Sequence, residues 1–122
     1  MKYKHYAPDA SLIIVEGENH QKVSLKIKSL GENYYKKGLS VALLVTEDLK
    51  GYFEFDHNFS YVFSLGPLED LSIPAKNLYH FLRELDQRGV DIIIAQGFEE
   101  KGIGLALANR LKKAAADKVI KV

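Results

Sequence analysis

The chain has 122 residues, of which 47% are hydrophobic and 27% are charged, and its formal net charge is +1 at pH 7. These values are typical of one globular domain with a single core, and so small a net charge favours neither nucleic acid nor membrane. The lack of cysteine excludes disulfides, thiolate catalysis and cysteine-based metal sites. No apolar run approaches the roughly 20 residues that span a bilayer, and Met1–Pro8 is not a signal peptide. We therefore expect a soluble, cytoplasmic protein.

Short apolar runs alternate with amphipathic segments in the first half of the chain. Spacing and capping residues predict a strand, a helix, a second strand and a short helix capped by Thr46, over Ser11–Glu16, His20–Lys37, Ser40–Val45 and Thr46–Lys50. Gly31 weakens the helical pattern of the first helix. The aromatic residues of Gly51–Ser60 are expected to pack against a sheet edge.

The second half continues the alternation. Its pattern predicts a third strand, a long helix with Asp70 or Ser72 as its N-cap, a fourth strand and a last, half-exposed edge strand, over Tyr61–Leu65, Asp70–Arg88, Ile92–Ala95 and Lys118–Val122. A turn rich in glycine follows the fourth strand and leads into a further helix, which begins near Leu105. In the long helix, Glu84 and Arg88 lie four residues apart in the favourable order for an ion pair.

This order predicts an α/β fold, a Rossmann-like three-layer α/β/α sandwich with about five mostly parallel strands. The expected strand order is 3-2-1-4-5, with 2-1-3-4-5 as the alternative. In the first order the switch point lies between strands one and four, and ligands bind there beyond the carboxyl ends of the strands. The candidate crevice residues are Glu16, Gly17, Gln96 and Gly97, with Phe98 and Thr46 nearby.

The glycine turn is a weak candidate for a phosphate site. Gly102 and Gly104 supply the first two glycines of a dinucleotide fingerprint, but Leu107 stands at the third position. Glu99 and Glu100 would repel phosphate, and no Walker sequence is present. A tight turn that lets the next helix pack on the sheet is the favoured interpretation.

No catalytic or metal-binding constellation is indicated by the sequence. The four histidines show no ligand spacing, and no serine lies in a nucleophile elbow. The paired acidic residues fall where helices begin, where capping and the helix dipole explain them. The basic residues Arg110, Lys112 and Lys113 could contact tRNA, but they lack interleaved aromatic residues, and a solvated helix face is the favoured interpretation.

Two stretches resemble one family. MKYKHYAP at Met1–Pro8 is similar to the interdomain linker of the two-domain threonylcarbamoyl-AMP synthases, and GIGLALANRLKKAA, within Gly97–Ala115, is similar to the closing motif of that family. The segments LIIVEG, VALLVTED, SLG and GVDIII fall where its C-terminal domain has similar segments. The resemblance divides the chain into a linker or lid arm at residues 1–10 and a Rossmann-like C-terminal domain at residues 11–122.

The resemblance implies a role without catalysis for this chain. Family members condense threonine, bicarbonate and ATP, with Mg, into threonylcarbamoyl-AMP for the threonylcarbamoyladenosine modification of tRNA. That chemistry belongs to a YrdC-like catalytic domain, and the linker helps to close its cleft. By this resemblance Lys4, His5 and Tyr6 would face the cleft and contact ATP or the adenylate, with Tyr6 foremost. We therefore expect an isolated C-terminal domain, catalytically silent alone and with no cofactor of its own, whose partner is the intramolecular catalytic domain.

Two other functions remain open from the sequence. The first is a small-molecule or nucleotide-binding module that uses the crevice at the switch point of the sheet. The second is a tRNA-docking module that uses the basic helix face, and it requires salt-sensitive binding.

Overall fold

The computed structural model describes residues 8–122, apart from the side chain of Ile103, so Lys4, His5 and Tyr6 lie outside the described residues. Strands alternate with helices through this whole range. The strands are β1 (Ser11–Glu16), β2 (Val41–Val45), β3 (Tyr61–Ser64), β4 (Ile92–Gln96) and β5 (Val119–Lys121). The helices are α1 (His20–Lys36), α2 (Glu47–Phe53), α3 (Ser72–Gln87) and α4 (Leu105–Ala114), and a single 3₁₀ turn at Gly102–Gly104 precedes α4.

The strands form one five-stranded sheet in the order β3-β2-β4-β1-β5. Every pairing is parallel, which confirms the α/β class. Both predicted strand orders were wrong, because they placed β1 beside β2 and β5 beside β4, whereas β4 lies between β1 and β2, and β5 pairs with β1. All residues of β2 and β4 are buried, whereas β1 has an exposed Ser11 and a half-buried Glu16 near its ends. The two fully buried strands therefore take interior positions of the sheet, with β4 at its centre.

The two sheet faces carry separate helix pairs. Helices α1 and α2 cover one face, where Val23, Ile27 and Leu49 pack with the odd-numbered residues of β2. Helices α3 and α4 cover the other face, where Leu82 and Leu111 pack with the even-numbered residues of the same strand. The alternation of side chains along each strand thus divides the core into two layers, as in a three-layer sandwich.

Three local predictions needed correction. Helix α2 continues past Lys50 to Phe53, and Thr46 in front of it makes no side-chain capping bond. Helix α3 begins at Ser72, but its N-cap is Leu71 and neither Asp70 nor Ser72. Asp70 instead accepts hydrogen bonds from the backbone N–H (3.3 Å) and hydroxyl (2.7 Å) of Ser72. The aromatic residues after β2 do not cover a sheet edge: Phe53 and Phe59 are buried in the layer under α1.

Candidate ligand crevice

A crevice of about 470 Å³ opens at the carboxyl edge of the sheet. Three loops that follow β1, β3 and β4 form its walls, because the chain leaves β1 toward one sheet face and leaves β3 and β4 toward the other. Its lining residues are Gly17, Glu18, His20, Val23, Leu68, Leu71, Gln96, Gly97, Phe98, Glu99, Lys101 and Gly104. Such a switch point is where open α/β sheets bind ligands.

Three of the four predicted crevice residues line this space. Gly17, Gln96 and Gly97 form part of its wall, as does Phe98. Glu16 instead lines the neighbouring depressions on the side of α4 and β5, because its position in β1 turns it toward the α4 face. Strands β1 and β4 are neighbours in the structure, as they are in the predicted order 3-2-1-4-5. The crevice therefore lies between β1 and β4 as predicted, although the strand order as a whole was wrong.

Gln96 is the most deeply placed polar residue of the crevice, with only 4% of its surface exposed. Its Oε1 accepts a hydrogen bond from the backbone N–H of Thr46 at 2.9 Å, and the Thr46 hydroxyl lies 3.1 Å from the same atom. The backbone donor fixes the orientation of the amide, so that Oε1 faces β2 and Nε2 is the remaining polar atom. Within residues 8–122, Nε2 has no hydrogen-bond partner.

The hydroxyl of Thr46 also connects the crevice floor to the start of α2. It donates to Oδ1 of Asp48 at 2.5 Å, and this hydrogen bond is the main reason that the pKa of Asp48 lies below its usual value. His20 lies on the opposite side of Asp48, with its Nδ1 3.8 Å from Oδ2. The Asp48 carboxylate therefore accepts the hydrogen bond of the Thr46 hydroxyl and lies next to the ring of His20.

The glycine turn after β4 has a packing role. A Cβ on Gly97 would come within 2.5 Å of Cβ of Glu16, so β1 and β4 approach each other too closely for a side chain there. Gly102 has a φ of +60°, which favours glycine, and it opens the 3₁₀ turn that leads into α4. Both observations agree with the predicted tight turn.

The basic face of α4 is partly neutralised by its own neighbours. Nζ of Lys112 lies 2.8 Å from Oε1 of Glu100, and this contact raises the pKa of Lys112. Arg110 and Lys113 are exposed. One of the three cations predicted for tRNA contact is thus paired with a carboxylate, and tRNA contact stays a prediction.

Sequence reasoning did not place eight of the lining residues at the crevice, namely Glu18, His20, Val23, Leu68, Leu71, Glu99, Lys101 and Gly104. The position of His20 could have been predicted from the sequence. This residue is the first of the helix after β1, so it must lie near the carboxyl edge of the sheet. Leu68 and Leu71 reach the crevice from the loop after β3. This strand is separated from β4 by β2 in the sheet. No local pattern indicates that contact.

No group of three or more His, Asp or Glu residues in the described range is arranged to hold a metal ion. No helix of that range is both long and apolar enough to cross a membrane.

The fold and the crevice define a Rossmann-like α/β domain with a ligand-sized opening at its switch point. A family model described as the C-terminal domain of threonylcarbamoyl-AMP synthase matches residues 1–116, and the chain belongs to this family. The family resemblance drawn from the sequence is thus confirmed.

Relatives and solved structures agree with this assignment. Proteins named threonylcarbamoyl-AMP synthase from Pyrococcus abyssi and Bacillus subtilis are 43% and 42% identical over 100% and 99% of this chain. The chain spans about a third of the length of these relatives, 33% and 32% respectively. The crystal structure of Pyrococcus abyssi Sua5 complexed with L-threonine matches with a TM-score of 0.81 and 42% identity, over 100% of this chain and 33% of that chain. A crystal structure of the C-terminal Sua5 domain from Pyrococcus horikoshii matches with a TM-score of 0.70 and 36% identity, over 95% of this chain and 100% of that chain.

Proposed function

We propose that this chain is the non-catalytic C-terminal part of a cytoplasmic L-threonylcarbamoyladenylate synthase and that residues 1–10 close the cleft of its catalytic domain. In that enzyme a YrdC-like domain would condense threonine, bicarbonate and ATP, with Mg, into threonylcarbamoyl-AMP for tRNA modification. The observation that carries the proposal is the family match, which begins at residue 1 and so includes the arm.

The attachment of the arm to the domain supports this role. The carboxylate of Asp86, near the end of α3, accepts hydrogen bonds from the backbone N–H groups of Asp9 (3.1 Å) and Ala10 (3.3 Å). Ala10 is buried, and the N–H of Ser11 donates to the carbonyl of Asp91 at 3.1 Å. A lid must start from a fixed point if it is to close in a reproducible position. Asp86 provides such a point at the amino edge of the sheet.

Composition suits the arm to this role as well. It carries Tyr3, His5 and Tyr6 together with Lys2 and Lys4. Tyrosine supplies apolar area together with a polar hydroxyl, and a lid that excludes water would protect a reactive carbamoyl adenylate from hydrolysis. Under this proposal Lys4, His5 and Tyr6 contact ATP or the adenylate in the two-domain enzyme.

The test compares pyrophosphate release from threonine, bicarbonate and ATP by this chain alone and by a two-domain enzyme that contains it. The chain alone should release none, and turnover by it would contradict a non-catalytic role. In the two-domain enzyme, Tyr6→Ala should lower adenylate formation by about tenfold or more, since a misplaced lid contact is costly to catalysis.

The matched control is Tyr52→Ala, which removes a tyrosine of α2 that is 75% exposed. It should leave adenylate formation unchanged. Equal rates for the Tyr6 variant and the unmodified enzyme would overturn the lid role without affecting the family assignment.

A further inference from the structure

The crevice presents a hydrogen-bond donor that the described residues do not use. Only 4% of the surface of Gln96 is exposed, and its Oε1 is held by Thr46. Its Nε2 has no partner among the described residues, and because no fully buried side-chain nitrogen or oxygen there is unpaired, this atom is accessible from the crevice that Gln96 lines. A donor held in a fixed orientation at the floor of an open space can bind an acceptor atom of a ligand.

The charged groups around this donor disfavour a phosphate. Among the described lining residues, Lys101 has its Nζ 3.5 Å from Oε2 of Glu99, and His20 lies beside Asp48. Glu18 adds a further carboxylate to the lining. A phosphate would therefore meet at least as many negative groups as positive ones, whereas carboxylates accept hydrogen bonds readily from ligand hydroxyls.

The helix that starts at the crevice has also used two of the N–H groups that could bind an anion. Helix α1 has 17 residues, and the free N–H groups of its first turn would normally attract an anion. Here Oδ1 of Asn19 accepts from the N–H groups of Gln21 (2.9 Å) and Lys22 (3.1 Å). These two N–H groups are therefore occupied by the protein and are not available to a phosphate.

We propose that the crevice binds a nucleoside, with an acceptor of the base hydrogen-bonded to Nε2 of Gln96 and the ribose hydroxyls directed toward Glu18. Its volume of about 470 Å³ is in the range of small-molecule sites. Val23, Leu71 and Phe98 supply the apolar wall that a planar base requires. A glutamine amide is a group that proteins use to recognise bases. The site does not depend on closure of a catalytic cleft by residues 1–10.

The test titrates the ¹⁵N-labelled chain with adenosine, guanosine, cytidine and uridine, and with AMP as the phosphate-bearing counterpart. At millimolar concentration at least one nucleoside should shift the resonances of the Gln96 side-chain amide, Gly17 and Gly97. AMP should bind more weakly than adenosine. The proposal is overturned if no nucleoside shifts these resonances or if AMP binds more tightly than adenosine.

The decisive variant is Gln96→Glu, which keeps an oxygen for the Thr46 N–H and replaces the Nε2 donor by an acceptor. It should weaken nucleoside binding by about tenfold or more. Gln87→Glu makes the same chemical change at an exposed position at the end of α3 and should leave binding unchanged. Equal affinity of the Gln96 and Gln87 variants would overturn the assignment.

A second variant keeps the proposal testable if Gln96→Glu does not fold. Glu99→Gln removes a carboxylate and releases Lys101 from its ion pair. It should raise the affinity for AMP relative to adenosine by several-fold. An unchanged ratio of the two affinities would contradict the electrostatic exclusion of phosphate.

Discussion

The ring of Phe59 lies directly on Gly31 in the middle of α1, where a Cβ on Gly31 would come within 2.7 Å of Cε1 of Phe59. Phe59 is buried and packs edge-on against Phe53 at a centroid distance of 5.5 Å. The aromatic segment after β2 therefore fits under α1 only because position 31 has no side chain. The glycine that weakened the helical pattern in the sequence is a packing requirement of the fold.

Gly31→Ala is accordingly expected to destabilise the domain. The matched control is Gly51→Ala in α2, where an added Cβ has no neighbour within 4 Å and should give only the helix-propensity gain of about 0.5–1 kcal/mol. The free energy of unfolding of Gly31→Ala should lie about 1–3 kcal/mol below that of Gly51→Ala, which is the usual cost of overpacking. Denaturant unfolding of both variants measures the difference.

Combining Gly31→Ala with Phe59→Leu tests the cause. The smaller side chain leaves room for the added methyl group, so the two substitutions should be less destabilising together than the sum of their separate effects. Simple additivity would show that the ring is not what opposes a side chain at position 31.

Asp48 makes the stability of the domain depend on pH at the acid end. Its pKa in the folded state is lowered from 3.8, chiefly by the hydrogen bond from the Thr46 hydroxyl. A carboxylate with a lowered folded-state pKa contributes stability above its unfolded pKa, and this contribution is lost as the pH falls through the folded value. Asp48→Asn should therefore destabilise the domain at pH 6, and the difference from the unmodified chain should shrink below about pH 4.

Chemical unfolding at a series of pH values checks this expectation. Glu47→Gln serves as the control, because this neighbouring carboxylate at the start of the same helix has no hydrogen bond to Thr46. Its effect on stability should be smaller. A difference between unmodified and Asp48→Asn protein that stays constant from pH 6 to pH 2.5 would contradict the role of Asp48.

Asp86 holds the start of the domain in place, so Asp86→Ala should release it. The N–H groups of Asp9 and Ala10 lose a carboxylate acceptor, which should cost about 0.5–1.5 kcal/mol. Amide hydrogen exchange measured by NMR should become faster at Asp9 and Ala10. Ser11 should remain protected by Asp91, and unchanged exchange at residues 9 and 10 would refute the anchor.

Arg88 combines an ion pair with aromatic contacts over the edge strand β3. Its guanidinium donates to Oε2 of Glu84, which confirms the predicted pair, and lies 4.8 Å from the ring centroid of Tyr61 and 5.6 Å from that of Phe63. Lysine cannot reproduce this planar stacking. Arg88→Lys should lower the free energy of unfolding by about 0.5–1 kcal/mol.

Arg110→Lys is the control for that substitution. Arg110 is exposed on α4, and no ion pair or ring contact involves it within residues 8–122, so its replacement should change stability by less than about 0.5 kcal/mol. Thermal and denaturant unfolding of both variants compares the two positions. Equal effects would show that the aromatic contacts of Arg88 contribute nothing.

The order of elements could be predicted because it rests on local patterns. Each strand and helix has its own periodicity and end signals, as the glycine after α1 illustrates: Gly38 has a φ of +82° and follows the helix as expected. The position of β4 between β1 and β2 could not be predicted in this way, since strand neighbours are selected by packing between distant segments. The consecutive isoleucines Ile92, Ile93 and Ile94 were nevertheless a signal for the central strand.

Some crevice residues could likewise be predicted from local patterns, and others depend on contacts between distant segments. Gly17, Gln96 and Gly97 could be predicted because they end strands, and strand ends in a parallel sheet share one edge. Leu68 and Leu71 could not, because they reach the crevice through the crossover from β3. The unused donor on Gln96 also depends on a tertiary contact, the hydrogen bond with Thr46.

Strand β1 begins beside the Asp86 anchor and ends at the crevice, so its six residues separate the two places by about 20 Å. At that distance, groups with no common neighbour should be energetically independent. The effects of Asp86→Ala and Gln96→Glu on the free energy of unfolding should then add within about 0.5 kcal/mol. An interaction energy well above this value would mean that β1 transmits the state of one end of the domain to the other.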